Sequence, residues 1–188
     1  ESDCLVVVDE AYMDFWNQSV LDCVNTHDNL IVLRTCSKAF GLAALRCGFL
    51  VANPELVGYY DRARSPYNMN AYTQAAAAAA LEDGEMLRRL TEECVQRADS
   101  LRLMAQGLCA ANPGRFAYIP TVTNFALLRV PAREGWSAEY CYEALRARQI
   151  GVRCLRGTYL RITAGTDAEN SAVIRALDEI AKRWEAGK

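Results

Sequence analysis

A hydroxyl, an amine and a guanidinium follow one apolar run in the first quarter of the chain. The run is Leu30-Ile-Val-Leu33, and Ser37, Lys38 and Arg46 come after it in a short, glycine-containing segment. The run predicts a buried strand, and α/β folds hold their ligands just beyond the carboxyl ends of strands. An amine in that place can be partly desolvated, which favours its neutral, nucleophilic form. A serine hydroxyl and an arginine fork are groups that hold a phosphate.

A lysine nucleophile beside a phosphate anchor suggests pyridoxal phosphate, because this cofactor needs both. Upstream, Leu5–Val8 predicts a second buried strand, and Asp9 is the first polar residue after it. A carboxylate there could pair with the pyridine nitrogen and keep it protonated, which makes the ring an electron sink. Tyr12 follows three residues later, close enough to reach the ring hydroxyl.

Three motifs together resemble the class I/II aminotransferases of pyridoxal-phosphate fold type I, and most closely the histidinol-phosphate aminotransferases. They are Asp9-Glu-Ala-Tyr12, then Ser37-Lys-Ala-Phe-Gly-Leu-Ala-Ala-Leu-Arg46, then Leu160-Arg-Ile-Thr163. Their order and their separations are also similar to those of the family. Each motif alone is weak, whereas the three in order are specific.

The resemblance implies a role in cofactor binding for five residues. Lys38 would be the Schiff-base lysine and the catalytic residue. Asp9 would pair with the pyridine nitrogen, and Tyr12 would contact the ring oxygen. Ser37 and Arg46 would hold the phosphate. In the implied reaction, the Lys38 amine moves a proton between the substrate carbon and the cofactor carbon.

The resemblance also implies contacts with substrates and with a second subunit. Arg161 would bind the substrate carboxylate through its planar fork, and Arg153 is a candidate for a second contact. Asn124 would line the same site. The segment around Tyr67 resembles a loop near the subunit boundary of the family, so a homodimer is implied. The substrates would be a small-molecule amine and a 2-oxo acid.

Each of these assignments has a structural alternative. Lys38 could be a surface cation, and Asp9 an ordinary turn carboxylate, with Glu10 open to either role. Arg161 could lie on a solvated face of its strand. Ala44 stands where the family usually has a second glycine, which predicts a more crowded turn. For the whole chain, a fold type I decarboxylase similar to those acting on threonine phosphate is one rival, and a non-catalytic chain is the other.

Composition excludes several other classes of protein. The chain has 188 residues and a net charge of -2, so no nucleic-acid partner is expected. No apolar run approaches the ~20 residues that span a membrane, and no signal peptide precedes the first strand. Eight cysteines without a C-x-x-C pair, and a single histidine, argue against a zinc site. Cysteines within apolar runs predict reduced thiols in the cytoplasm.

Local patterns predict an α/β portion followed by an α+β portion. We expect residues 1–111 to be the C-terminal part of a large cofactor-binding domain, including a long linking helix, and residues 112–188 to be a small domain. Strands are predicted at 5–9, 30–34, 47–52, 123–129, 151–154 and 159–163. Helices are predicted at 54–63 with Asn53 as the cap, from the cap Asn70 through the six alanines 75–80, at 85–111, at 137–148 with Ser137 as the cap, and to 184 from a cap at Thr166 or Asp167. The alanine helix is expected to be tightly buried, and the three-to-four spacing of apolar residues along 85–111 predicts one buried face. Gly48 would allow a close approach of two backbones, and the side chains of 159–163 should alternate, with 160 and 162 on one face. The resemblance covers only part of a fold roughly twice as long, whose remainder would carry a glycine-rich phosphate loop, a ring-stacking aromatic residue and a substrate lid.

Overall fold

The computed structural model describes residues 3–187. Glu1, Ser2 and Lys188 lie outside the described residues. The expectation that no signal peptide is present concerns the segment that begins with Glu1 and Ser2, so its start also lies outside them. The chain divides into two compact units, with the division between Glu93 and Cys94. We call them the N-terminal unit and the C-terminal unit and describe each by itself. No helix within residues 3–187 is both long enough and apolar enough to cross a membrane.

The N-terminal unit contains a three-stranded sheet in the order β1-β2-β3. Its strands are β1 (Val6–Asp9), β2 (Leu30–Thr35) and β3 (Gly48–Ala52). The first two are parallel, with Asp9 paired to Leu33, and β3 is antiparallel to β2. The carboxyl ends of β1 and β2 therefore lie at one edge of the sheet, where ligand sites of α/β folds form.

Two helices follow β3, and both begin at the predicted cap. They are α1 (Pro54–Ala63) and α2 (Ala71–Glu82). The side chain of Asn53 accepts a hydrogen bond from the Leu56 backbone N–H, and that of Asn70 accepts one from Thr73, each at 2.9 Å. These bonds satisfy N–H groups that a helix start leaves unpaired. Short 3₁₀ turns at Met13–Phe15, Leu21–Asn25 and Ala43–Leu45 complete the unit.

The predicted burial of two elements is wrong. Val6 and Val7 of β1 are 39% and 52% exposed, although β1 pairs with β2 along its whole length. The alanine-rich α2 was expected to be tightly buried, but only Thr73 and Ala77 of that helix are. Apolar composition predicts that a surface can be buried, whereas the neighbours present in the fold decide whether it is.

Gly48 allows a close approach of two backbones, as the sequence predicts. A Cβ atom at this position would lie 2.8 Å from the carbonyl oxygen of Arg34, closer than real Cβ contacts. Residues 34 and 49 are paired across β2 and β3. A side chain at Gly48 would therefore push against the last paired residues of β2 and β3, which border the segment between these two strands.

The long helix α3 (Gly84–Ala111) spans the division between the units. Its predicted apolar face is confirmed, since Leu87, Ala98, Leu101 and Leu108 are buried. The physical division of the chain falls inside this helix. The expected domain boundary between residues 111 and 112 stays a prediction.

The C-terminal unit is a four-stranded antiparallel sheet with helices packed on one face. Its strands are β4 (Ala117–Ile119), β5 (Phe125–Arg129), β6 (Arg153–Leu155) and β7 (Tyr159–Thr163), in the order β4-β5-β7-β6. The helices are α4 (Ala138–Arg146) and α5 (Asp167–Ala186). The predictions omitted β4. Ser137 and Thr166 cap the two helices as expected, and Thr166 forms a capping box with Glu169.

One core holds this unit together. Residues of α3, α4 and α5 pack against inward side chains of β5 and β7, such as Leu128 and Leu160, and the fully buried Trp136 of the segment before α4 belongs to the same core. The outward side chains of the two strands remain on the opposite face of the sheet. The predicted alternation along 159–163 is confirmed, because Leu160 and Ile162 are buried while Arg161 is half-buried.

Candidate active site

The segment between β2 and β3 is a folded loop with its own hydrogen bonds. We call residues 37–46 the active-site loop. At its base, the Cys36 N–H donates to the Cys47 carbonyl at 3.1 Å, and the Leu42 N–H donates to the Cys36 carbonyl at 3.0 Å. Within it, the Gly41 N–H donates to the Lys38 carbonyl at 3.1 Å. The loop therefore holds its side chains at the carboxyl edge of the sheet.

Ser37 and Arg46 meet across this loop. The Arg46 Nη1 atom lies 3.5 Å from the Ser37 Oγ and donates to the Ala43 carbonyl at 2.9 Å. Arg46 has a left-handed backbone with φ at 53°, a conformation that costs a non-glycine residue free energy and is concentrated at functional sites. Ala44 is exposed, and the crowding of the turn expected at this position stays a prediction. Hydroxyl and guanidinium are thus presented together, as a phosphate requires.

Lys38 lies against Tyr12. Its Nζ atom is 5.2 Å from the centroid of the Tyr12 ring, within the range of a cation–π contact. Both residues are half-buried. The contact joins the segment after β1 to the segment after β2, and it directs the amine toward the edge where the two parallel strands end.

The two carboxylates after β1 have different surroundings. Asp9 is exposed and accepts one hydrogen bond, from the Ala11 N–H at 2.9 Å. Glu10 is buried and accepts from the Arg34 Nε at 2.8 Å, from the Val20 N–H at 2.7 Å and from a serine hydroxyl. Glu10 is therefore occupied by a structural ion pair. Asp9 remains the carboxylate that an incoming group can reach.

Opposing effects act on the Glu10 carboxyl. Burial raises its pKa, but the Val20 N–H, the Ser19 hydroxyl and the Arg34 guanidinium outweigh burial and leave the pKa below its ordinary value. The sequence left the role of Glu10 open and did not indicate Ser19 at all. No local pattern marks this network, because its members come from three separate segments.

Two arginines stand side by side in the C-terminal unit. Arg153 of β6 is the direct register partner of Arg161 of β7. The guanidinium carbon of Arg161 lies 4.2 Å from the centroid of the Phe125 ring, within the range of a cation–π contact. Like charges directly opposite each other are destabilising in a sheet. The pair therefore presents a cationic site that favours an anion.

Asn124 lies next to β5 and has an unsatisfied side chain. Its Oδ1 atom is buried without a hydrogen-bond partner among residues 3–187, while its backbone carbonyl accepts from the Ala164 N–H at 2.9 Å. A buried acceptor without a partner costs free energy. Asn124 thus offers an acceptor for a ligand. Phe125, which holds Arg161, was missed by the sequence analysis although the alternation of β5 and β7 places both on one face.

The predicted cofactor residues therefore belong to the N-terminal unit, and the predicted substrate residues to the C-terminal unit. In the first, a phosphate anchor, an amine and an exposed carboxylate lie around one sheet edge. In the second, two guanidinium groups and a buried acceptor belong to one sheet. Such donor sets suit a phosphorylated cofactor that requires an amine, and an anionic substrate.

Comparisons with known proteins agree with this chemistry. The family model described as aminotransferase class I and II matches residues 1–177. A histidinol-phosphate aminotransferase of Clostridium kluyveri is 37% identical over 184 residues, covering 96% of this chain and 50% of that protein. A second, from Thermoanaerobacter pseudethanolicus, is 37% identical over 186 residues with the same coverage. The chain belongs to the class I/II aminotransferase family.

Solved structures confirm the predicted fold class. The histidinol-phosphate aminotransferase of Sinorhizobium meliloti, in complex with pyridoxal-5'-phosphate, matches with a TM-score of 0.77 and 26% identity, over 96% of this chain and 49% of that one. An L-threonine-O-3-phosphate decarboxylase from Porphyromonas gingivalis matches with a TM-score of 0.76 and 22% identity, over 96% and 56%. The chain has part of the fold type I architecture. It spans about half the length of the curated relatives it matches.

Proposed function

We propose that the full-length protein is a pyridoxal-phosphate-dependent aminotransferase. Its substrates would be an amino acid or an amino-alcohol phosphate similar to histidinol phosphate, and a 2-oxo acid. The observation that carries the proposal is the active-site loop, in which Ser37 and Arg46 meet within 3.5 Å with Lys38 in the same loop. The family is pyridoxal-phosphate dependent, and the groups in this loop fit that cofactor.

Each residue of the N-terminal unit has a proposed task. Ser37 and Arg46 bind the phosphate, and Asp9 pairs with the pyridine nitrogen. The bound cofactor would supply the electron sink that lets a proton leave the amine-bearing carbon of the substrate. The Lys38 amine would accept that proton and deliver it to the cofactor carbon. Tyr12, which lies against the Lys38 amine, would contact the ring oxygen of the cofactor.

The C-terminal unit supplies the proposed substrate contacts. Arg161 binds the anionic group of the substrate, and Arg153 adds a second positive charge beside it. A carboxylate or a phosphate would relieve the repulsion between the two guanidinium groups, which stand as register partners. Asn124 accepts a hydrogen bond from a donor group of the substrate.

The first test is a titration of this chain with pyridoxal phosphate, followed by borohydride reduction and peptide mapping. The sequence has three lysines, at 38, 182 and 188, so the map has few alternatives. Lys182 is an exposed residue paired with Asp178 at 2.6 Å, and Lys182→Ala is the matched control. We expect the label on Lys38, retained in the control and lost in Lys38→Ala.

A label mainly on Lys182 or Lys188 would refute the assignment of Lys38. If this chain does not bind the cofactor, the same map is made on the full-length protein. The family assignment predicts that the longer protein then binds through Lys38.

A second assay separates the proposed reaction from its rivals. Full-length protein is incubated with histidinol phosphate and 2-oxoglutarate, and formation of glutamate is measured. A decarboxylase would instead release carbon dioxide from threonine phosphate without a 2-oxo acid. A protein that labels on Lys38 but performs neither reaction would support the non-catalytic alternative.

We also propose a homodimer and a cytoplasmic location. Aminotransferases of this family are generally dimeric. In this chain, Tyr67 is 97% exposed and Tyr72 is 89% exposed, which is unusual for aromatic side chains. None of the eight cysteines, all of which lie within residues 3–187, forms a disulfide, as expected in the reducing cytoplasm. Sedimentation of the full-length protein would test the dimer, and a monomer at micromolar concentration would refute it.

A further inference from the structure

Two cysteines stand opposite each other at the base of the active-site loop. The ladder between β2 and β3 ends with Thr35 paired to Gly48, so Cys36 and Cys47 are the next position on each side. The Cys36 N–H donates to the Cys47 carbonyl at 3.1 Å. This bond is one of the two that a hydrogen-bonded antiparallel pair exchanges, and directly opposed residues of such a pair have Cα atoms about 5.5 Å apart. That separation lies within the range of natural disulfides.

The two thiols share one apolar environment. Cys36 is fully buried and Cys47 is 4% exposed, and both belong to a cluster with Ala77. Both are free thiols. Burial raises the pKa of Cys36 to about 11, and the neighbouring Cys47, which hydrogen-bonds to it, and the Asp14 carboxylate add to this effect. At neutral pH the Cys36 thiol is therefore protonated and slow to react while the loop is closed.

We propose that Cys36 and Cys47 are a redox pair whose disulfide closes the active-site loop covalently. The inference goes beyond the proposed function, because neither thiol has a part in the transfer of the amine. The closed ring would include Ser37, Lys38 and Arg46. Oxidation would therefore tether both ends of the segment that carries the amine and the phosphate anchor.

The oxidant would be a small-molecule disulfide such as oxidised glutathione. One cysteine loses its proton, and its thiolate attacks a sulfur of the oxidant and releases one thiolate. The second cysteine then loses its proton and attacks the mixed disulfide, releasing the other thiolate. The protein loses two hydrogens and gains one S–S bond, and one oxidant molecule becomes two thiols. Because both cysteines are buried, the first step requires local opening of the loop.

The test uses the chain with its two exposed cysteines replaced, as Cys4→Ser and Cys23→Ser. It is incubated with oxidised glutathione at pH 7 and at pH 9, and then digested and mapped without reduction. We expect a crosslinked peptide pair joining Cys36 to Cys47. Its rate of formation should rise between pH 7 and pH 9, because the reacting thiolate fraction grows with pH by up to about tenfold per unit below the thiol pKa. A reductant should restore both thiols.

Two further variants test whether the crosslink depends on Cys36 and not on another cysteine. Cys36→Ser in the same background should abolish the crosslink and leave Cys47 as a mixed disulfide with glutathione. Cys94→Ser, which removes a half-buried cysteine of α3, should keep the crosslink. The measurement needs no cofactor, so its outcome is independent of the outcome for the proposed function.

Three results would overturn the proposal. The first is that Cys36 and Cys47 remain thiols at pH 9 under conditions that oxidise the unfolded chain. The second is a stable mixed disulfide at either residue when both are present. The third is that the crosslink joins other cysteines, such as Cys141 to Cys154, while Cys36 and Cys47 are not joined.

Discussion

The ion pair between Glu10 and Arg34 should support the edge of the sheet that carries the candidate cofactor site. It joins the residue after β1 to β2, at a distance of 2.8 Å. The Glu10 side chain is 5% exposed and that of Arg34 is 24% exposed. We therefore expect Glu10→Gln, which keeps the shape and removes the charge, to loosen the ends of both strands.

The magnitude follows from the bonds that the substitution changes. A hydrogen bond to a charged group contributes about 1.5–3 kcal/mol. The glutamine oxygen can still accept from the Val20 N–H and from the Ser19 hydroxyl, which share Oε1, but the amide nitrogen that replaces Oε2 cannot accept from Arg34. Water reaches the partly exposed Arg34 and offsets part of the loss. We expect a net cost of about 2 kcal/mol, which is roughly 30-fold in an opening equilibrium.

The expected pH dependence has a definite sign. The folded-state pKa of Glu10 is lower than the ordinary value of 4.5, so the ionised form is the one that folding favours. Its contribution is fully present above about pH 4.5 and is lost as the pH falls through the folded-state pKa. The difference between the parent and Glu10→Gln should therefore be largest near neutral pH and should shrink in acid.

Hydrogen exchange of the β1 and β2 amides at pH 7 measures the effect, with a pH series of denaturant unfolding for the sign. Glu92→Gln is the matched control, because Glu92 is 55% exposed and pairs with Arg88 on a helix surface at 2.8 Å. We expect at most about 0.5 kcal/mol for the control. If Glu10→Gln behaves like the control, or if its deficit persists undiminished at pH 3, the reasoning about this ion pair is wrong.

Three other predictions follow from the geometry. Gly48→Ala should lower the free energy of unfolding by about 1–3 kcal/mol, because its Cβ would clash with the Arg34 carbonyl. Gly58→Ala, inside α1 with ordinary contacts, should raise it by about 1 kcal/mol. Urea unfolding measures both changes. Arg46→Lys should weaken pyridoxal-phosphate binding by roughly 10–100-fold, since the planar fork is lost, and equal affinity in the titration would contradict the phosphate role. Arg161→Lys in the full-length protein should lower kcat/KM for the anionic substrate by at least about tenfold and leave the cofactor Kd unchanged. A changed cofactor Kd with an unchanged kcat/KM would contradict the role of Arg161 in substrate binding.

Much of the fold could be predicted because its causes are local. The caps at Asn53, Asn70 and Ser137 are side chains that bond to the backbone a few residues away, so the residue type and its position are enough. The apolar repeat of α3 identifies its buried face for the same reason. The active-site motif was recognisable because its residues, from Ser37 to Arg46, lie in one continuous segment.

Burial and side-chain pairing could not be predicted in the same way. β1 and α2 have the composition of buried elements, but their exposure depends on which other segments pack against them. The residues of β1 and α2 alone do not indicate those segments. The strand β4 was missed because three residues are too few to show an alternation. The direct opposition of Arg153 and Arg161 depends on strand register, which two short segments do not reveal separately.

The residues proposed for the chemistry, and the family that the chain resembles, can be read from the amino-acid sequence alone. The tertiary structure is needed to see that Glu10 pairs with Arg34 while Asp9 is exposed, because both carboxylates follow the same strand. It also decided that Lys38 lies against Tyr12 and that Cys36 stands opposite Cys47. These contacts join segments that are distant in the chain, and their energies depend on distances and burial that arise only when the strands pair.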